Sequence, residues 1–458
     1  MSNSKRQITS QGASPAFEQV KPGSNAGTAD LLIAGQPSQS PMFDAALMEE
    51  ICQRSNLLPA LKRVMQNQGA PGVDGMTVEE LPNYLKAHWL DIKERLLHGV
   101  YRPQPVRKVA IPKLNGMGVR QLCIPTVLDR LIQQATLQVL QAKWDRSFSE
   151  HSYGFRPRRS AHQAVAQAQS YLKAGYEWVV DLDLEKFFDR VNHDRLLSVL
   201  AQRISDARVL QLIRAYLKAG VLENGLVSPR HEGAAQGGPL SPFLSNVVLD
   251  ELDKELERRG HQFVRYGDDC NIYVCSQRAG ERVMASISRF ITHRLKLKIN
   301  QSKSAVARPH ERKFLGFSFT ASGGLHRRKV ANEAIRRFKQ RVRQLTRRTR
   351  SVNWQERIAE LSQYLRGWKA YFEFAETIRQ FKDLDSWIRR RLRCALWKQW
   401  KTYRRRKREL IALGVPPLLA HTTAWSNKGP WRICHTPGVQ LALSNDYFNR
   451  QGLPKLND

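Results

Sequence analysis

Gly267-Asp268-Asp269 interrupts an apolar run, with Phe263, Val264, Arg265 and Tyr266 before it and Asn271, Ile272, Tyr273 and Val274 after it. Two β-prone runs around a Gly-Asp pair predict a hairpin with both carboxylates at its tip. Such a tip is either an ordinary solvated turn or a cation site, because adjacent carboxylates repel, and Mg²⁺ is the natural partner for these oxygen ligands. A second carboxylate source lies upstream in Trp178-Val179-Val180-Asp181-Leu182-Asp183-Leu184. In an extended strand Asp181 and Asp183 share one face, while Trp178, Val180, Leu182 and Leu184 face a core on the other. Carboxylates from separate strands are what two-metal nucleotidyl transfer needs, with two ions about 3.5–4 Å apart activating the attacking hydroxyl and stabilising the leaving oxygen.

The elements that must position these groups can be read from the same chain. Between the two acidic strands lies Ala234-Ala235-Gln236-Gly237-Gly238-Pro239-Leu240-Ser241-Pro242. The paired glycines allow the backbone to approach a ligand, Pro242 suits a first helical turn, and a helix from Phe243 to Arg259 would carry Asn246. From Ala45 to Gln68 the spacing predicts a helix whose buried face holds Leu47, Ile51, Leu58, Leu61 and Val64. Tyr101 to Leu122 reads as short strands bearing Arg107, Lys108, Lys113 and Arg120. Residues 1–42, rich in Ser, Gln, Gly, Ala and Pro, read as a disordered tail with no secretory apolar core and few basic residues.

Bulk composition narrows the class. The 458 residues are 41% hydrophobic, enough for several cored domains, and carry a net charge of +33, which calls for a polyanionic partner. No run of some 18 apolar residues appears, so a membrane partner is not expected. Six scattered cysteines lack the paired spacings of zinc sites and point to a reducing compartment. Arg327 to Arg350 contains eleven Lys or Arg against one acid, Glu333, and Arg389 to Arg408 contains eleven with none. Trp354, Tyr364, Trp368, Tyr371, Phe372, Phe374, Trp387, Trp397, Trp400 and Tyr403 interleave with them. That mixture predicts helices with one buried face and one face for phosphates, where a disordered polycation would lack the aromatics.

Carboxylate strand, Gln-Gly-Gly loop and Tyr-Gly-Asp-Asp hairpin, in that order, resemble the reverse transcriptases encoded by group II introns, also called maturases. Further matching residues are Asn67 to Gly75, Tyr101-Arg102-Pro103, Ile111-Pro112-Lys113, Ile124-Pro125-Thr126-Val127, Asp129-Arg130, Ser152 to Pro157, Leu297 to Asn300, Lys303-Ser304, Phe314 to Phe317, Arg366-Gly367-Trp368 and Trp397 to Lys401. The resemblance covers residues 45 to 455. It implies a metal-binding catalytic triad of Asp183, Asp268 and Asp269 with two Mg²⁺, Asp181 being structural. It further implies nucleotide contacts from Lys113, Arg120, Gln236 and Lys303, and a primer grip at Phe314, Leu315, Gly316 and Phe317. Phe188 would lie beneath the sugar and reject a 2′-hydroxyl, with Phe187 in the core.

The implied fold is an α/β right-hand polymerase, with fingers and an antiparallel palm sheet followed by an α-helical thumb and a basic helical terminal domain. The expected segments are the tail (1–42), fingers (43–175), palm (176–322), thumb and maturase-specific domain (323–400) and a basic RNA/DNA-binding domain (401–458), with the catalytic domain over about 95–320. Expected partners are intron RNA, an RNA template with DNA primer, deoxynucleoside triphosphates and target DNA, in bacterial cytoplasm. A tail without a Cys/His-rich endonuclease is expected either of the compact IIC-like bacterial subclass, which it resembles, or equally of a truncated copy. The chain departs from most of this family at Gly267, where Ala is usual, and at Ala234-Ala235, where Thr-Pro is usual. Gly-Asp-Asp also marks viral RNA-dependent RNA polymerases, but Phe188 and the Gln-Gly-Gly-Pro loop weigh against them, and the basic aromatic tail weighs against retron, diversity-generating, abortive-infection and CRISPR-associated enzymes. A maturase that only folds its intron RNA is the alternative from outside the enzymes.

Overall fold

Alternation along three short strands builds the centre of the molecule. In the computed structural model, which describes residues 46–112, 118–223, 226–230, 232–321, 325–347 and 349–457, strands β1 (Val106–Pro112) and β2 (Val119–Ile124) come first, followed by β3 (Trp178–Leu182), β4 (Val221–Glu223) and β5 (Leu226–Ser228). Strands β6 (Gln262–Tyr266), β7 (Asp269–Val274), β8 (Ala305–Ala307), β9 (Phe317–Phe319) and β10 (Arg328–Val330) complete the set. The central sheet has the order β6-β7-β3-β8 and is antiparallel throughout. A second four-stranded sheet, β2-β1-β4-β5, and the pair β10-β9 lie beside it in the chain's topology. The predicted tail, residues 1–42, and Lys113 lie outside the described residues.

Each face of the central sheet meets its own core. Val180, Phe263 and Ile272 join one apolar cluster with the helices Leu47–Cys52, Val127–Trp144, His193–Ala201, Ala207–Lys218 and Ser241–Arg258. Their strand neighbours Val179, Val264 and Tyr273 join a second cluster with Ala161–Lys173, Asn332–Leu345, Trp354–Phe372 and Ile378–Gln399. A period of two splits successive side chains between the clusters. The sheet is therefore buried on both sides, whereas the strand pattern alone suggested one core opposite Asp181 and Asp183. Asp183 and the Gly267-Asp268 turn with Asp269 stand at one end of the sheet.

The amino-terminal helix departs from expectation. Gln53 adopts an extended conformation with ψ 140° and splits the segment into Leu47–Cys52 and Arg54–Gln66. The break resets the helical phase, so Leu58 is 53% exposed while Leu47, Ile51 and Val64 are buried. The helix predicted from Phe243 runs Ser241–Arg258 with Pro242 in its first turn. The basic aromatic region is helical as expected, with Trp368, Phe372, Trp397 and Trp400 buried. These residues and the three palm residues Val179, Val264 and Tyr273 share one continuous core.

Phe317 is the junction of that core. It is fully buried on β9, and its ring meets Phe372 at 5.3 Å, Tyr371 at 5.6 Å and His162 at 6.1 Å between centroids. Replacing it by Ala should lower the unfolding free energy by about 3–5 kcal/mol, because the surrounding rings come from two separate helices and cannot collapse into the space. Urea unfolding of Phe317→Ala against wild type measures this.

Candidate active site

The β6–β7 hairpin pairs Tyr266 with Asp269, leaving Gly267 and Asp268 as a two-residue turn. Gly267 sits at φ +66°, the left-handed conformation such tight hairpin turns require. Strand β3 runs antiparallel to β7 with Leu182 opposite Cys270, so one step further Asp183 comes opposite Asp269. Sheet register thus brings together the three carboxylates that the sequence assigned to one site. Asp183 is held through its backbone as well: its N–H donates to Ser304 Oγ at 3.0 Å, and its carbonyl accepts from Asn300 N at 2.8 Å.

The carboxylates stand between two cavities. One, of about 560 Å³, is lined by Asp268, Arg120, Phe188 and Gln236 together with Phe155, Arg130 and Gln134. The other, of about 640 Å³, is lined by Asp183, Asp269, Lys303, Phe314, Leu315 and Gly316. The residues expected to contact a nucleotide and those expected to grip a primer therefore separate onto different sides of the acidic cluster, with two exceptions. Lys303 belongs to the second cavity, where its Nζ donates to Asp183 Oδ2 at 3.0 Å. Phe317 points into the core while Phe314 to Gly316 line the cavity wall. That turn is closed by paired backbone bonds of 2.9 Å between Phe314 and Phe317, and Tyr371 Oη donates to the Leu315 carbonyl at 2.8 Å.

Phe187 and Phe188 divide as expected. Phe187 is buried in the core, whereas Phe188 is partly open and lines the first cavity. Asp181 is neutralised within the protein: Arg312 Nε donates to its Oδ2 at 2.8 Å. The paired glycines serve a different neighbour from the one their sequence suggested. A side chain at Gly237 would meet the Cys123 carbonyl at 2.6 Å, and one at Gly238 would meet Gln133 Oε1 at 2.4 Å. The close approach is thus to the chain itself, and Cys123 N donates to Gln236 O at 2.8 Å, which joins the loop to β2. Sequence reading assigned no role to Arg130 and Gln134. Their spacing of four on a largely buried helix, both polar and facing one cavity, is the signal that marks them.

Electrostatics favours a cation here. Asp268 has its pKa raised by lost hydration and by Asp183, with Arg120 and Lys303 acting against the rise. Asp269 is open to the second cavity yet crowded by protein. Loss of hydration, then Asp268, Asp181 and Asp183, push its carboxyl up to about 6. As the side chains stand, no three His, Cys, Asp or Glu among the described residues enclose an ion. Asp183 is turned to Lys303, whose side chain is 64% exposed, and an ion pair that open is weak enough to be exchanged. Mutually repelling oxygens of one sign, with a replaceable cation on one of them, fit divalent metal.

Residues 111–319 match the reverse transcriptase (RNA-dependent DNA polymerase) family, and residues 335–411 match the group II intron, maturase-specific domain. The chain thus carries a reverse transcriptase domain followed by a maturase-specific domain, and its palm sheet with a helical carboxy-terminal region is that of a right-hand polymerase. It is 39% identical over 219 residues to Protein YkfC of Escherichia coli, covering 46% of this chain and 57% of that one. It is 37% identical over 195 residues to the group II intron-encoded protein LtrA of Lactococcus lactis, covering 43% of this chain and 32% of LtrA. The match thus spans less than two thirds of either relative. A chain of a solved Cas6-RT-Cas1--Cas2 complex is similar at a TM-score of 0.36 and 25% identity, over 54% of this chain and 42% of that one. No helix among the described residues is long and apolar enough to cross a membrane.

The raised pKa of Asp269 has a defined sign. A carboxyl that holds its proton more tightly when folded contributes stability below its unfolded pKa, and loses that contribution as pH rises through about 6. A divalent cation competes with that proton. The rise in melting temperature on adding Mg²⁺ is therefore expected to be larger at about pH 7.5 than at about pH 5.5, and to shrink at the higher pH in Asp269→Asn. Melting curves at both pH values check it.

Proposed function

We propose that this protein is an RNA-directed DNA polymerase of a group II intron, which extends a primer 3′-hydroxyl with deoxynucleotides on an RNA template and also binds its intron RNA as a maturase. The observation that carries the reading is the acidic cluster of Asp183, Asp268 and Asp269 standing between a cavity with Arg120, Phe188 and Gln236 and another with Phe314, Leu315 and Gly316. Two Mg²⁺ ions held by those carboxylates would supply the Lewis acidity for hydroxyl attack and pyrophosphate departure.

The chain's own residues do the rest. Arg120, with Lys113, neutralises the triphosphate and brings its α-phosphorus towards the carboxylates. The Phe188 ring supports a deoxyribose and clashes with a 2′-hydroxyl. Gln236, fixed to β2 through its carbonyl, contacts the bound nucleotide from the loop. The turn from Phe314 to Gly316, braced by Tyr371, holds the primer end. Lys303 releases Asp183 when cation enters and is then free to face phosphate. Fingers (43–175), palm (176–322), thumb with maturase domain (323–400) and the basic terminal region (401–458) are the divisions in which these parts would act. The basic helical surfaces beyond residue 327 would bind intron RNA and target DNA through phosphate contacts. The scattered spacing of the six cysteines is in keeping with a bacterial cytoplasmic, nucleic-acid-associated enzyme.

Primer extension on poly(rA) with oligo(dT) and Mg²⁺ tests the reading. Wild type should incorporate dTTP and exclude UTP, and Asp268→Ala or Asp183→Ala should reduce synthesis by about 10³-fold or more with RNA binding intact, since each removes a metal ligand and no phosphate contact. Phe188→Ala should admit UTP. Synthesis that survives both Asp substitutions would refute the site, incorporation of UTP by wild type would favour an RNA polymerase, and silent wild type that still binds RNA would leave a maturase without polymerase activity.

A further inference from the structure

Arg265 is the one charged residue in the run that leads into the catalytic turn, and it is completely buried. Its guanidinium has five N–H donors, and every one meets an acceptor. Nε donates to Asp253 Oδ1 at 2.7 Å and Nη2 to Asp253 Oδ2 at 2.5 Å. Nη2 also donates to Ser152 Oγ at 2.8 Å, while Nη1 donates to Asn246 Oδ1 at 2.9 Å and to the Gly267 carbonyl at 3.0 Å. Asp253 and Asn246 lie seven residues apart, on one face of the helix Ser241–Arg258. Asn246 Nδ2 donates in turn to the Gly154 carbonyl at 2.8 Å.

A buried ion pair is costly to desolvate, and an apolar side chain of similar size would hold strand to helix as well or better. What an apolar residue cannot do is reach from a helix to the carbonyl of the turn. Gly267 directly precedes Asp268, and its carbonyl belongs to the peptide that carries the Asp268 N–H, so fixing that oxygen fixes the start of the ligand residue. Only the planar fork of arginine spans Asp253 and Gly267 together; a lysine ammonium has three donors at one point.

We propose that Arg265 is a positioning residue for the metal-binding turn, holding Asp268 against the repulsion of Asp183 and Asp269 by anchoring Gly267 to the helix through Asp253 and Asn246. The inference rests on the polymerase reading for its catalytic consequence, while its effect on cation binding is measurable without activity.

Two variants of the full chain test it, Arg265→Lys and Asn246→Ala, by Mg²⁺-dependent melting and by dTTP incorporation. In Arg265→Lys the Mg²⁺ concentration giving half of the thermal stabilisation should rise roughly tenfold, the size seen when a group supporting a metal ligand is removed. Incorporation should show a lower kcat with KM for dTTP within about twofold, because the first cavity keeps its wall. Asn246→Ala retains the Arg265–Asp253 pair and should shift the Mg²⁺ midpoint in the same direction by a smaller factor. A purely structural role would lower the melting temperature without moving that midpoint, and such a result in either folded variant would overturn the proposal. If Arg265→Lys does not fold, the Asn246→Ala midpoint decides alone. If wild type makes no DNA yet shows the Mg²⁺ shift, the polymerase reading fails and the positioning role stands.

Discussion

Repulsion among like charges governs this structure. Asp183, Asp268 and Asp269 reach one end of the central sheet because β3 pairs with β7 and the β6–β7 turn is as short as a hairpin allows. Loss of hydration first, and the neighbouring carboxylates after it, hold the carboxyls of Asp268 and Asp269 above their ordinary range. A flexible loop would relieve that strain by moving apart. Here it cannot, since the sheet is clamped between two cores and the turn is tied to neighbouring segments. Rigidity of the support is what converts repulsion into affinity for a divalent cation.

The supporting charges are graded by how firmly they are held. Arg312 pairs with Asp181 on the wall of the second cavity, less exposed than Lys303, and neutralises one carboxylate there. Lys303 lies on an exposed stem over Asp183, where exchange is easy. The buried Arg265–Asp253 pair is inaccessible to solvent on both sides and serves as framework. Three ion pairs of similar composition thus have three different roles, decided by exposure and by how many donors find acceptors.

The acidic strand and hairpin were legible in the sequence because local rules govern them: alternation set the face of Asp183, and a Gly-Asp pair between β-prone runs set the turn. The division between Phe187 and Phe188 was also visible. Features that depend on distant partners were not. Gln53 breaks a continuous helical pattern, and Leu58 is exposed as a result. The glycines at 237 and 238 answer to Cys123 and Gln133, more than a hundred residues earlier. Arg265 was read only as a member of the run leading into the hairpin, since its acceptors come from Ser152, Asn246 and Asp253 and become neighbours only in the fold. Phe317 read as part of a primer-gripping turn, and packing shows it to be the core anchor of that turn.

The second core has a bearing on how the molecule is made. It joins Tyr153, Val179 and Val264 to Phe448, Leu453 and Leu456, and Asp385 accepts the Leu456 N–H at 3.0 Å. The core on one face of the palm sheet, which the helix Ala161–Lys173 begins, is therefore completed by residues near the end of the described chain. During synthesis that core stays incomplete until the carboxy-terminal helices leave the ribosome. The support of the palm sheet is thus finished only when the region that matches the maturase-specific domain, residues 335–411, and the helices after it have been made.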